Sequence, residues 1–242
     1  MRKVDFSIVT CWHKNENHFD GFLDYLNDTS YVGELVVVIN DPVEAPNLSK
    51  LDQSIDAILV RYTGRNFSEL WNKGIGSSTN DWVLIHAADE RFNFDDILSL
   101  DFDAEHIYVF KRMNLFGGVH YPHCFPIENQ ERLFKKKIRY YGIIHERLPQ
   151  KYHRYNTGAL MSHFAYDDWA EAIQKLHFYS DLEVRRKGAA RNFLRFCYQL
   201  SRGFLSVNNF RDGAFGRRWW CHVIKFYAIC IIKLAVSRKK NV

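Results

Sequence analysis

Four short apolar runs set the terms for this chain: "FSIVT" (Phe6–Thr10), "ELVVVIND" (Glu34–Asp41), "AILVRY" (Ala57–Tyr62) and "DWVLIH" (Asp81–His86). Each is too short for a helix of its own. "ELVVVIND" is β-branched and uninterrupted, which predicts a strand covered on both faces. Between the first two runs, Phe19, Phe22, Leu23 and Leu26 recur at helical spacing. "NFSELWNKGIGSST" predicts a helix from about Phe67, capped by Asn66 and failing near Gly74 and Gly76. Strands alternating with helices give a mostly parallel sheet joined by right-handed crossovers.

After Phe92 the rhythm changes. "HIYVFKR", "RLFKKKIRYYG" and "ALMSHFAY" read as shorter strands among irregular polar stretches. A helix is predicted from Asp167 to about Arg186, with Trp169, Ile173, Leu176 and Leu182 on one face. Another covers "FGRRWWCHVIKFYAICIIKLAVSRKK", apolar over much of its surface and ringed by Arg217, Arg218, Lys225, Lys233 and Arg238–Lys240. The expected division is a core domain over 1–158 and a C-terminal strand and basic amphipathic helical extension over 159–242.

Charge separates these parts. Residues 184–242 hold 14 Lys/Arg and one acid, Asp212, a surplus of +13 against a whole-chain net of +5. The preceding 183 residues therefore carry −8, so body and tail face different partners. The tail's basic residues flank an apolar helix instead of interleaving with flexible stretches. That suits an anionic membrane surface, and no nucleic acid is expected. No run approaches the roughly 20 apolar residues of a membrane span, and no signal peptide opens the chain. The five cysteines lack any C-x-x-C pair, which fits a reducing, cytoplasmic setting.

Asp89 and Glu90 fall just past the fourth run, where open α/β sheets place ligand sites. Such carboxylates either hold a divalent cation on a diphosphate or are solvated and pair with Arg91. In "IHERL", Glu146 beside His145 is either a general base or an ion-pair partner of Arg147. His163 in "MSHFAY" is either a hydrogen-bonded core residue or a ligand. "KKK" at Lys135–Lys137 is either a solvated turn or a phosphate contact. "GIG" lacks the Lys-Ser/Thr of a phosphate loop, and nothing suggests a nucleophilic triad.

Taken together, these segments resemble the family 2 glycosyltransferases of GT-A fold, in particular the bacterial branch that builds lipopolysaccharide core and other surface glycans. "FSIVTCWHKNE" is similar to that family's first strand and its Lys-Asn-Glu turn, at Lys14, Asn15 and Glu16. "ELVVVIND" is similar to the second strand, ending in an aspartate, Asp41. "RNFSELWNKGIGSSTNDWVLIHAADER" matches best, and "RLFKKKIRYYGIIHERL" and "HFAYDDWAEAIQKLHFYSDLEVRRKG" continue the order. Two departures stand out. Ala87 occupies the place of the first acid in the metal-binding Asp-x-Asp, and "DPVEAPN" replaces an Asp-Gly-Ser-Thr-Asp.

The resemblance implies a GT-A α/β fold with a mixed, mostly parallel sheet flanked by helices. It implies inverting transfer of a hexose from a nucleoside-diphosphate sugar, UDP-linked, to a surface glycan or lipid-linked acceptor at the inner face of the cytoplasmic membrane. Asp41 and Asn66 would lie near the nucleotide. Asp89, with His163 as a second ligand, would hold Mg²⁺ or Mn²⁺. Arg132 would contact phosphate or acceptor, and Glu146 would be the base. The missing acid at position 87 leaves two alternatives: a catalytically impaired nucleotide-sugar-binding protein, or a basic membrane-peripheral scaffold.

Overall fold

A computed structural model describes residues 6–13, 18–29, 31, 33–40, 44–64, 66–142, 147–186, 193–198 and 211–239. Its backbone divides into two compact units, one of Met1–Met113 with Glu128–His163, the other of Asn114–Ile127 with Phe164–Val242.

The first unit follows the alternating plan. β1 (Phe6–Trp12), α1 (Phe19–Asn27), β2 (Glu34–Asn40), β3 (Asp56–Tyr62), α2 (Phe67–Ser77) and β4 (Trp82–Ile85) come in that order. β5 (Glu90–Phe92), α3 (Phe94–Leu98), β6 (His106–Phe116), β7 (Val119–His120), β8 (Glu128–Lys135) and β9 (His153–Tyr166) follow in the chain, β7 and the last residues of β6 and β9 belonging to the second unit. The strand order is β3-β2-β1-β4-β8-β6-β9-β5, with β7 paired to β6. Ladders among β3, β2, β1 and β4 are parallel. Those of β8 with β4 and β6, and of β5 with β9, are antiparallel. The result is the mixed α/β sheet expected, with its parallel character concentrated in the N-terminal half.

Side-chain alternation explains why the central strands read as continuous apolar runs. Phe6 and Ile8 of β1, Leu35 and Val37 of β2, and Trp82 and Leu84 of β4 join one core with Phe19, Phe22, Leu23 and Leu26 of α1. The alternate residues, Val9, Val36, Val38, Val83 and Ile85, join a second core with Leu70 and Ile75 of α2. Strands with a helix on each face are mostly apolar on both sides, here with Ser7 and Thr10 of β1 as buried polar exceptions.

The structure refines three sequence expectations. α2 ends at Ser77, one residue past Gly76, so it does close near its glycines, though it runs through Gly74. Gly74 lies so close to the sheet that a Cβ there would stand 2.4 Å from Val9 Cγ1 and 2.7 Å from Val38 Cγ2, so the glycine permits contact instead of ending the helix. β6 and β9 are 11 and 14 residues long, not short.

The third change concerns the second unit, where β7 and the end of β6 accompany α4 (Trp169–Arg186) and α5 (Gly213–Lys239). α5 is long and apolar enough over Gly213–Val236 to cross a membrane by length and composition. Its scattered lysines hide this from a search for an unbroken apolar run. Around its start, Phe116, Phe125, Trp169, Phe215 and Trp219 form an aromatic cluster. Asp212 anchors that region, since its Oδ2 accepts from the backbone N–H groups of His123 (3.1 Å) and Cys124 (2.8 Å).

Candidate functional site

β4 ends at Ile85, and the four residues before β5 build a turned platform. The His86 N–H donates to Val9 O (3.0 Å), carrying the β1–β4 pairing one step further. The Glu90 N–H donates to Ala87 O (3.0 Å), closing a turn whose side-chain partner is Glu90 itself, since its Oε2 accepts from the Ala87 N–H (3.2 Å). β5 then leaves along β9, with Glu90 opposite His163. The Tyr25 hydroxyl clamps β5 to α1, donating to Phe92 O (2.7 Å) and accepting from the Phe92 N–H (3.0 Å).

This turn answers why two adjacent acids behave differently. Asp89 projects from the turn and meets His163 from β9, Oδ2 to Nε2 at 3.2 Å, both side chains about one-fifth exposed. Glu90 points inward and is 1% exposed. Its Oε1 accepts from Arg132 of β8 (2.7 Å), and Arg112 of β6 stands 3.9 Å away. Arg112 in turn pairs with Glu128 at 2.5 Å. Burial alone would raise the Glu90 carboxyl, but the Arg132 guanidinium and then the His163 ring outweigh it and hold it below the usual carboxylate range.

His86 sits behind the platform, fully buried among Phe22, Tyr25, Phe92 and Phe94. Its Nδ1 donates to Ala87 O (2.8 Å), while Nε2 has no hydrogen-bond partner. Burial pushes its pKa down to about 4, so the ring is neutral.

The structure thus brings Asp89, His163 and Arg132 together, with Glu90 and Arg112 as the residues that tie them into one cluster. Glu90 is visible in the sequence as an acid, but its inward direction depends on a three-residue strand with no periodicity of its own. Arg112 carries no sequence signal beyond a basic residue late in a strand.

Asn66 is placed differently. Its Oδ1 caps α2 by accepting from the Ser68 N–H (3.0 Å), and its Nδ2 donates to Glu69 (3.0 Å). Asp41, Glu146, His145 and the Lys14–Glu16 turn lie outside the described residues. Lys135–Lys137, with Asp81 and Arg139, line a cavity of about 530 Å³. It lies beside the start of β4, the opposite end of that strand from Asp89. There Lys135 Nζ pairs with Asp81 (3.3 Å) and Lys136 Nζ donates to Ser78 O.

Asp89 and His163, already in contact with each other, are the side chains of this cluster whose donor atoms suit a cation. Ala87 offers no side-chain donor, and Glu90 is already engaged by Arg132. Among the described residues no group of three His, Cys, Asp or Glu side chains is arranged to hold a metal ion. Two protein donors do fit a hard divalent cation that takes its remaining ligands from waters and a substrate's phosphates.

No protein-family model matches this chain, and no curated protein matches it. Among solved structures, S. aureus TarS is similar over 57% of this chain and 30% of its own, at 11% identity and a TM-score of 0.38. TarS 1–349 in complex with UDP-GlcNAc aligns over 55% of this chain and 46% of its own, at 10% identity and a TM-score of 0.38. The inositol-1-phosphate CTP transferase from T. maritima aligns over 68% and 90%, at 10% identity and a TM-score of 0.42. The chain thus spans about a third of the TarS chain. At these scores the likenesses say nothing about donor or acceptor.

Proposed function

We propose that the chain is an inverting glycosyltransferase that moves a hexose from a nucleoside-diphosphate sugar, UDP-linked, to a surface glycan such as lipopolysaccharide core. The observation that carries this reading is the Asp89–His163 pair, 3.2 Å apart just past the carboxyl end of β4 and beside the Glu90–Arg132 ion pair. Open α/β sheets bind nucleotides at that edge, and the order of motifs around it resembles the glycosyltransferases.

In this reading Asp89 and His163 hold Mg²⁺ or Mn²⁺ against the donor's diphosphate. When bound, the cation neutralises charge as the nucleoside diphosphate departs. Glu90 fixes the Arg132 guanidinium beside the pair, where it contacts phosphate or acceptor. Asp41 and Asn66 border the nucleotide, Asn66 while capping α2. Glu146 takes the acceptor hydroxyl's proton as that oxygen attacks the anomeric carbon. The basic C-terminal segment holds the enzyme on an anionic inner-leaflet surface, near a lipid-linked acceptor.

A thermal-shift screen against UDP and a panel of nucleotide sugars, with and without Mn²⁺, tests this directly. A UDP-sugar is expected to raise the melting temperature more with Mn²⁺ than without, and Asp89→Asn is expected to abolish the metal-dependent part. No shift with any nucleotide sugar sinks the proposal. Ala87 favours one other reading, a protein that binds the donor without transferring it. Binding with neither transfer nor donor hydrolysis selects that alternative.

A further inference from the structure

α5 is apolar over much of its surface, yet few of its residues are fully covered by protein. It has 27 residues, about 40 Å at 1.5 Å per residue, and only 6% of its most apolar window is buried. A helix of that kind needs an apolar surround. Two surrounds are geometrically open to it, a crossing of the bilayer or a seat in its surface.

α4 decides between them, because the two helices lie side by side and point the same way. Trp169, at the start of α4, packs on Phe215 (5.5 Å between rings) and Trp219 (6.2 Å) and lies 4.1 Å beneath the Arg218 guanidinium. Eleven residues further along α4, Ser180 meets Cys230 and Lys233 of α5. Lys233 Nζ donates to Ser180 Oγ (2.8 Å) and pairs with Asp181 (2.7 Å). α4 also carries Glu171 and Lys175, paired with each other at 2.9 Å.

If α5 crossed, α4 would be drawn toward hydrocarbon with these charges, which are costly to bury there. The alternative is to strip Asp181 from Lys233, breaking their ion pair. A seat in the surface requires neither. It leaves α4 on the aqueous side and turns Ile232 (61% exposed) and Val236 (50%) to the acyl boundary, with Arg217 and Lys225 reaching for headgroups.

The charge names the occupant of that face. Residues 184–242 carry +13, which complements an anionic lipid surface. The same charge opposes docking against a second copy of this chain.

We infer that α5 lies in the plane of an anionic membrane surface, with α4 on its water side, instead of crossing the bilayer. This rests on the membrane attachment proposed above and commits it to one geometry.

The test uses the full chain in a cysteine-free background on phosphatidylcholine vesicles containing phosphatidylglycerol. Single fluorophores are placed through Ala214→Cys, Ala228→Cys and Val236→Cys, and dithionite is added outside. All three labels are expected to be quenched before the vesicles are lysed. In unlabelled protein, Ile232→Glu with Val236→Glu is expected to lower vesicle binding at least tenfold while the melting temperature stays put. A Val236 label protected until lysis, with the Ala214 label reached, overturns the in-plane geometry and leaves membrane attachment standing. Absence of binding to these vesicles overturns both. Donor binding, measured without vesicles, is unaffected by either result.

Discussion

Glu90 shows how much depends on where one carboxylate points. Its oxygens hold the Ala87 N–H, the Arg132 guanidinium and, more loosely, Arg112, and water barely reaches it. A buried pair of this kind adds little net stability over an apolar substitute, because both charges lose hydration. Breaking it from one side is another matter. Arg132→Met is expected to destabilise the protein by about 3 kcal/mol, the lower end for a broken buried pair because Arg112 remains within 4 Å of the carboxylate. Arg132→Met combined with Glu90→Gln should recover much of that loss, since no uncompensated charge stays behind. Urea unfolding of the two variants checks the sign. A double variant as unstable as the single one would mean that packing, and not charge, sets the cost.

At the level of elements, α2 offers the cleanest contest between local preference and packing. Replacing a glycine inside a helix by alanine stabilises by roughly 1 kcal/mol when nothing obstructs the new methyl. At Gly74 the methyl would meet Val9 Cγ1 at 2.4 Å and Val38 Cγ2 at 2.7 Å, both in strands paired on two sides. Overpacking of this kind costs about 1–3 kcal/mol, so Gly74→Ala is expected to lower the melting temperature. Gly76, with nothing near its missing Cβ, is the control, and Gly76→Ala is expected to raise it. The same pair shows what the sequence discloses. Central strands announce themselves because burial on both faces leaves mostly apolar residues, and Asn66 announces the start of α2 because a cap is a local device. Whether a glycine stops a helix or lets it approach a sheet depends on residues 36 and 65 positions earlier, and no local pattern carries that. β5 and its inward Glu90 were hidden for a related reason: a strand of three residues is defined by its partner β9. Asp89 was legible as an acid just past β4, whereas its contact with His163 joins residues 74 apart.

For the whole molecule, acid stability brings these local features into one measurable quantity. His86 is neutral in the fold, with a pKa of about 4 against an ordinary value of 6.5, because burial among aromatic rings outweighs the attraction of Glu90. Arg91 and Arg132 push in the same direction as burial. The unfolded chain therefore takes up a proton below pH 6.5 that the folded chain refuses. This group's contribution is complete above pH 6.5 and is lost progressively as the pH falls toward about 4, to a total of about 3 kcal/mol. Glu90 acts lower on the scale. Its folded pKa is depressed, so its contribution is present above the ordinary carboxylate value and disappears as the pH falls through the folded one. Two losses in sequence are expected, the first in a range where ordinary carboxylates have scarcely begun to titrate. His86→Phe, which fills the same aromatic surround without a titrating nitrogen, should flatten unfolding free energy between pH 6.5 and about 4.5 and leave the steeper loss below it. Chemical unfolding across that range reads the slope directly, and a His86→Phe slope equal to that of the unaltered chain would place the acid sensitivity elsewhere.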